Sequence, residues 1–123
     1  MQTRFILIGA LLAALAVALG AFGAHALKAM LLAAGRYETY QTAVQYHFYH
    51  ALGLIALGTL GQLFPKRRLA AAAWLMLLGC LLFSGSLYVL CFTGATWLGA
   101  VTPLGGVAFI AAWGLLAYAF TKK

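Results

Sequence analysis

The chain is almost without acid: of its 123 residues only Glu38 is negatively charged, against 8 lysines and arginines, for a formal net charge of +7. Paired carboxylates, whether for acid–base catalysis or for holding a hard cation, are therefore excluded. Charge of either sign is scarce, 7% of the composition, where an ordinary soluble domain carries roughly a quarter. Cysteine is scarce too. Cys80 and Cys91 lie on one apolar stretch, about 16 Å apart if it is helical, too far to pair within it. No Cys-x-x-Cys is present, which argues against thiol–disulfide exchange and leaves Cys80 a packing role. The only prolines are Pro65 and Pro103, so long segments run free of breakers.

What fills the chain is apolar, 66% of it. Phe5 to Ala24 has no charge, and Leu69 to Thr121 is an uncharged run more than twice the roughly 20 residues that cross a bilayer as a helix. That run must turn back, and Thr93-Gly94-Ala95-Thr96 is its natural turn. A less pure apolar segment, residues 42–64, is interrupted by Gln45, His47, His50 and Gln62. The expected fold is all-α, an integral membrane four-helix bundle with spans 5–26, 42–64, 69–92 and 97–120 in a single domain covering 1–123. Continuous Leu/Ala runs exclude the alternating strands of a membrane barrel. Arg4, an Ala/Leu-rich stretch and Ala24-His25-Ala26 also resemble a secretory signal peptide, but the run exceeds the usual 7–15 residues, so it reads as a span.

Charge sets the expected orientation. Arg4, the cluster Lys66-Arg67-Arg68 and the tail Lys122-Lys123 fall on one side, and Lys28 and Arg36 on the other beside Glu38. The positive-inside rule then makes both termini cytoplasmic and puts the 25–50 connection outside. A basic face on a folded domain, as nucleic-acid binding requires, has no domain to sit on. Trp74, Trp97 and Tyr118 stand where interfacial rings belong.

Small residues recur on the predicted helices: Ala16, Gly20 and Ala24 every four residues, with Gly23 beside them; Ala72, Gly79 and Ser86 every seven; Gly105 and Gly106 in the last span. Such stripes let backbones approach closely in lipid. Thr102-Pro103 looks like an N-cap followed by the first helical residue, but a helix kinked or partly broken at Pro103 is preferred to a clean start there.

Polar chemistry concentrates between His25 and His50. After Gly35, a helix stop, residues 36–50 have helical spacing, and Lys28 to Ala34 form a short interfacial helix before them. Arg36, Tyr40, Ala43, His47, His50 and Leu54 share one face, and Glu38, Gln41, Gln45 and Tyr49 another. A histidine as deep as His50 needs a partner inside the bundle: Tyr46, Ser84, Ser86 or a carbonyl freed near Pro103. His25, His47 and His50 are the metal-ligand candidates, but no His-Glu-x-x-His accompanies them and no metal centre is assigned. No nucleophile stands beside a base, so no catalytic residue is assigned, and no cofactor is implied.

Four motifs in chain order carry a family resemblance: Gly20-Ala-Phe-Gly-Ala-His-Ala-Leu27; Gln41-Thr-Ala-Val-Gln-Tyr46 with Tyr49-His50-Ala51-Leu52; Phe83-Ser-Gly-Ser-Leu-Tyr88; and Thr102-Pro-Leu-Gly-Gly106 followed by Trp113. Together they resemble domain of unknown function 423, a family of uncharacterised small membrane proteins. The resemblance implies a multi-pass protein of the bacterial inner membrane with four spans and no established activity. Its motifs mark His25, Gln45, Tyr46, His50, Ser84, Ser86, Thr102 and Pro103, a polar cluster able to receive a ligand; His47 lies outside the pattern. The expected role is non-enzymatic, in lipid, as a homo-oligomer or as part of a larger membrane complex. The alternative is a carrier or binder of a small ligand, proton or metal ion around His50.

Overall fold

The computed structural model describes residues 2–65 and 67–121. Lys66, Lys122 and Lys123, read above as topology anchors, lie outside the described residues. The chain is all-helical, with no strand among the described residues: α1 (Gln2–Ala24), α2 (Lys28–Ala33), α3 (Tyr37–Leu63), α4 (Arg67–Gly79), a π-helical segment (Cys80–Gly85), α5 (Ser86–Thr93), a 3₁₀ turn (Thr96–Ala100) and α6 (Thr102–Ala119). Among the described residues three helices are long and apolar enough to cross a membrane: Gln2–Ala24, Arg67–Thr93 and Thr96–Ala119. In the second of these, α4, the π segment and α5 run on as one rod, called here the third helix. The third, Thr96–Ala119, joins the 3₁₀ turn to α6. α3 has 27 residues, about 40 Å, but its polar side chains keep it out of that set.

Glycines end the helices where the chain reverses. Gly35, at φ 66°, closes a Schellman motif on α2: its amide donates to the Leu32 carbonyl and that of Arg36 to the Leu31 carbonyl. Gly94, at φ 70°, ends α5 the same left-handed way and turns the chain where the sequence places a turn. A side chain at either position would be strained, since only glycine adopts this conformation freely.

At the last helix the 3₁₀ turn comes first and α6 restarts with Pro103 in its first turn. Thr102 is not the cap the sequence suggested. The N-cap is Val101, and the Thr102 hydroxyl reaches back to the Leu98 carbonyl at 3.3 Å. The tighter turn before Pro103 avoids the clash a proline ring makes inside a regular helix.

α1 and α3 pack antiparallel at very short range, because glycine removes the side chain at each crossing. A Cβ on Gly9 would come 2.8 Å from the Ala51 carbonyl oxygen, and one on Gly58 2.9 Å from that of Gln2. Gly9, Ala16 and Gly23, spaced at a heptad, are buried on this seam, with Gly23 against the Tyr40 ring. Ala24 is exposed, since it lies about 100° round the helix from Gly23. On the other side of α3 the third helix packs against α6. Gly79 faces the ring of Phe109, and Gly105 faces the backbone of Phe83; Gly106 makes only ordinary contact with the Phe83 ring.

The basic end is closed by contacts between elements distant in sequence. Gln62 donates to the Thr3 hydroxyl at 3.2 Å, the Phe64 and Phe120 rings meet edge-on at 5.6 Å, and the Arg68 guanidinium lies 4.2 Å from the centre of the Tyr118 ring. Arg4, Arg67 and Arg68 therefore share one end of the molecule. At the opposite end, Lys28 sits 5.6 Å from the Tyr37 ring, and Glu38 is exposed.

Candidate functional site

Of the stripe read from the sequence, Tyr40, Ala43, His47, His50 and Leu54 are buried and Arg36, the N-cap of α3, is half-buried, while Glu38, Gln41, Gln45 and Tyr49 are exposed. His50 is 5% exposed, and both of its ring nitrogens are engaged. Nδ1 lies 2.7 Å from the Tyr46 carbonyl oxygen, which can only accept, so Nδ1 carries the proton. Nε2 then accepts from the indole N–H of Trp113 at 3.1 Å. The ring is neutral in this arrangement. It also stacks on Phe109, centroids 3.4 Å apart, with Gly79 and Gly53 providing the room for Phe109 and for Met76 and Trp113.

The serines point to opposite sides of the third helix, as residues two apart in a helix do. Ser84 donates to the Ala43 carbonyl of α3 at 2.7 Å, and Ser86 pairs with the Thr102 hydroxyl at 2.7 Å while donating to the Phe83 carbonyl at 2.9 Å. The π segment lies across this region, where its wider turn accommodates Gly105 against the Phe83 backbone. His47, 4% exposed, places Nδ1 2.9 Å from the Tyr88 hydroxyl, and its Nε2 has no hydrogen-bond partner. Tyr40 donates to the Leu19 carbonyl of α1.

The structure thus joins His50, Ser84, Ser86 and Thr102 to three helices through hydrogen bonds, with Tyr46 contributing its carbonyl to His50 and its ring to a stack on Phe83 at 4.6 Å. It does not bring His25, Gln45 or Pro103 into this network. His25 is exposed in the turn after α1, Gln45 is exposed on the outer side of α3, and Pro103 is exposed at the start of α6. Of the partners foreseen for His50, only Tyr46 serves, by its backbone; the second is Trp113, which was not among them. Tyr88 was also missed, although it closes the Phe83-Ser-Gly-Ser-Leu-Tyr88 motif. Serines on both sides of a glycine within an apolar helix were the available signal that polar groups line this stretch. Among the described residues no three His, Cys, Asp or Glu side chains gather as a metal site.

Two connected hollows lie on the exposed face between α1 and α3. One, about 150 Å³, is lined by Gly20, Gly23, Tyr37, Tyr40, Gln41 and Gln45; the other, about 250 Å³, by Ala16, Val17, Gly20, Gln45, Phe48 and Tyr49.

Residues 19–106 match the family model described as "Protein of unknown function (DUF423)". The chain belongs to the DUF423 family. Its relatives include the UPF0382 membrane protein YwdK of Bacillus subtilis (strain 168), 49% identical over 120 residues, 96% of each chain. The UPF0382 inner membrane protein YgdD of Escherichia coli (strain K12) is 38% identical over 121 residues, 94% of this chain and 88% of that protein. A UPF0382 membrane protein of Haemophilus influenzae is 36% identical over 125 residues, 100% of this chain and 98% of its own. These DUF423 relatives are named as membrane proteins, in agreement with three apolar helices of spanning length. No solved structure matches the chain significantly.

Proposed function

We propose that this DUF423 protein is a non-enzymatic, four-span protein of the bacterial inner membrane that works by associating with other membrane helices, as an accessory or assembly partner of a larger complex or as a self-associated bundle. α3 is the second span, both termini and the 65–68 loop are cytoplasmic, and α2 lies at the outer surface. Six of the eight basic residues then lie inside, as the positive-inside rule requires.

One observation carries the reading. The buried polar side chains of the cluster are bonded within the bundle, His50 at both nitrogens, whereas the amides of Gln41 and Gln45 make no hydrogen bond and lie exposed along the hollows between α1 and α3. An amide exposed on the outside of the bundle gains by meeting a polar group on another helix, and half-buried Gly20, which lines both hollows, leaves a shallow wall against which a backbone can approach. The occupant is a transmembrane helix of another polypeptide. A photo-crosslinker at Gln45 in intact cells should trap a defined partner or a second copy, and one at Leu7, on the lipid-exposed side of α1, should not. A monodisperse monomer in mild detergent, with no Gln45 adduct, would refute the proposal.

A further inference from the structure

At the basic end a hollow of about 300 Å³ separates α1 from α4, lined by Arg4, Phe5 and Ile8 of the first helix and Trp74 of the second. α1 and α4 each pack on α3 and scarcely on each other, and the Phe5 and Trp74 rings meet edge-on across the gap, 5.2 Å between centres. Phe5 is buried and Ile8 half-buried, while Arg4 and Trp74 are exposed.

Two observations say what enters this hollow. Its donors have no protein partner: among the described residues Arg4 makes no hydrogen bond and no ion pair, and the indole N–H of Trp74 makes no hydrogen bond. Glu38, the only acidic residue of the chain, is exposed at the opposite end, so no carboxylate side chain reaches Arg4. The rest of the wall is apolar and belongs to two helices of membrane-spanning length. Ile8 and Trp74 lie about 9 and about 10 Å along their helices from Gln2 and Arg67, the depth at which head groups give way to hydrocarbon. A soluble anion would answer Arg4 alone. A lipid answers both the charge and the apolar wall.

We infer that this hollow holds one anionic phospholipid, its phosphate diester accepting from the Arg4 guanidinium, an ester carbonyl accepting from the Trp74 N–H, and the start of an acyl chain lying along Phe5 and Ile8. A guanidinium fork matches phosphate oxygens two at a time. The volume is twice the roughly 150 Å³ that takes up a benzene ring, room for the ester region and the first methylenes. The head group is anionic because this end already carries Arg4, Arg67 and Arg68, toward which a zwitterionic head would bring a further cation. The inference needs α1 and α4 to cross a bilayer, and neither the orientation nor the helical partner proposed above.

The test uses the full chain, labelled with 5-fluorotryptophan, in detergent micelles. The probes are phosphatidylglycerol, phosphatidylcholine with the same acyl chains, and glycerol phosphate. Binding is read from the melting temperature and from the Trp74 fluorine resonance, assigned by its absence from Trp74→Phe. Phosphatidylglycerol should shift that resonance saturably and raise the melting temperature, binding about fivefold more tightly than phosphatidylcholine, which is about 1 kcal/mol. Glycerol phosphate at the same concentration should do neither. Arg4→Gln should abolish the preference for phosphatidylglycerol, whereas Arg67→Gln, which removes the same charge from the same end outside the hollow, should keep it. Both side chains are exposed, so neither change disturbs packing. Ile8→Trp, which fills the hollow and leaves Arg4 in place, should abolish the saturable shift. Equal losses in Arg4→Gln and Arg67→Gln would mean diffuse attraction to a basic surface and would overturn the inference, as would equal binding of the two lipids or a shift by glycerol phosphate as strong as that by phosphatidylglycerol.

Discussion

Replacing Gly105 with alanine adds one methyl group at the tightest crossing between α6 and the third helix. That methyl would overlap the Phe83 backbone nitrogen and stand 2.7 Å from the Phe83 Cβ and 2.8 Å from its Cα. None of these atoms moves by a side-chain rotation, so relief requires the two helices to part, by about 1 Å to regain ordinary contact. A gap of that size forfeits a quarter to a half of the dispersion energy along the seam, and overpacking of this kind costs about 1–3 kcal/mol. Parting also stretches the Ser86–Thr102 and Trp113–His50 bonds, at 2.7 and 3.1 Å, which span toward α6 and are worth about 0.6 kcal/mol each in a membrane. The expected loss is about 3 kcal/mol. Gly114→Ala is the internal control: it lies on the same helix, nothing stands within 4 Å of the added methyl, and helix propensity favours alanine by up to about 1 kcal/mol. Reversible unfolding of both variants in mixed micelles with increasing dodecyl sulfate, followed by tryptophan fluorescence, measures the difference. A gap below about 1 kcal/mol between the two would refute the packing argument, because backbone contact would then not be setting the distance between these helices.

Trp113→Phe and His50→Phe, made singly and together, should show a coupling of about 0.6–1.5 kcal/mol in a double-mutant cycle by the same assay; additive losses would mean the indole does not hold the imidazole. Gly9→Leu should loosen α1 from α3 more than Leu7→Ala does, read as faster proteolysis or exchange confined to the first helix, since the Gly9 methylene faces the Ala51 carbonyl and Leu7 is 59% exposed. For orientation, a membrane-impermeant maleimide on intact cells should label Glu38→Cys and leave Thr121→Cys unlabelled until the membrane is opened; Cys80 and Cys91 are buried and should stay silent. The reverse pattern would invert the proposed topology.

What could be read from the sequence was what periodicity reports. On α3, three- and four-residue steps separated Tyr40, Ala43, His47, His50 and Leu54 from Glu38, Gln41, Gln45 and Tyr49, and burial follows the same division. The turn at Gly94 and the helix stop at Gly35 were also legible, because only glycine is at ease at their φ of 70° and 66°. Partners across helices were not. Nothing local to His50 says that the indole of Trp113 will reach it, and nothing local to Gly105 says that it will meet the backbone of Phe83. The π turn is illegible for the same reason: Cys80 to Gly85 has ordinary helical residues, and its wider winding is set by what packs against it. The four-residue stripe Ala16, Gly20, Ala24 was close but mis-phased. A heptad through Gly9, Ala16 and Gly23 is the buried seam, as expected for a long antiparallel pair in which side chains interdigitate.

The least apolar long helix is also the one the others gather around, and the two facts have one cause. Lipid is as apolar as leucine, so burying leucine on a neighbouring helix gains little, and membrane helices select partners by close backbone approach and by hydrogen bonds. α3 supplies both. Its glycines at 53, 58 and 61 admit α1 and the third helix, and its Ala43 carbonyl, His47 and His50 bond to Ser84, Tyr88 and Trp113. A helix covered by protein on most sides can carry polar groups that one facing lipid cannot, provided each is satisfied. That is why α3 is less apolar than a lipid-facing span, while α1, packed on α3 along one seam and exposed elsewhere, is long and apolar enough to cross the membrane. A polar side chain introduced at Leu54 or Leu57, buried on α3, should therefore unfold the protein, whereas the same change at Leu11 on α1, 63% exposed, should chiefly weaken its residence in the bilayer.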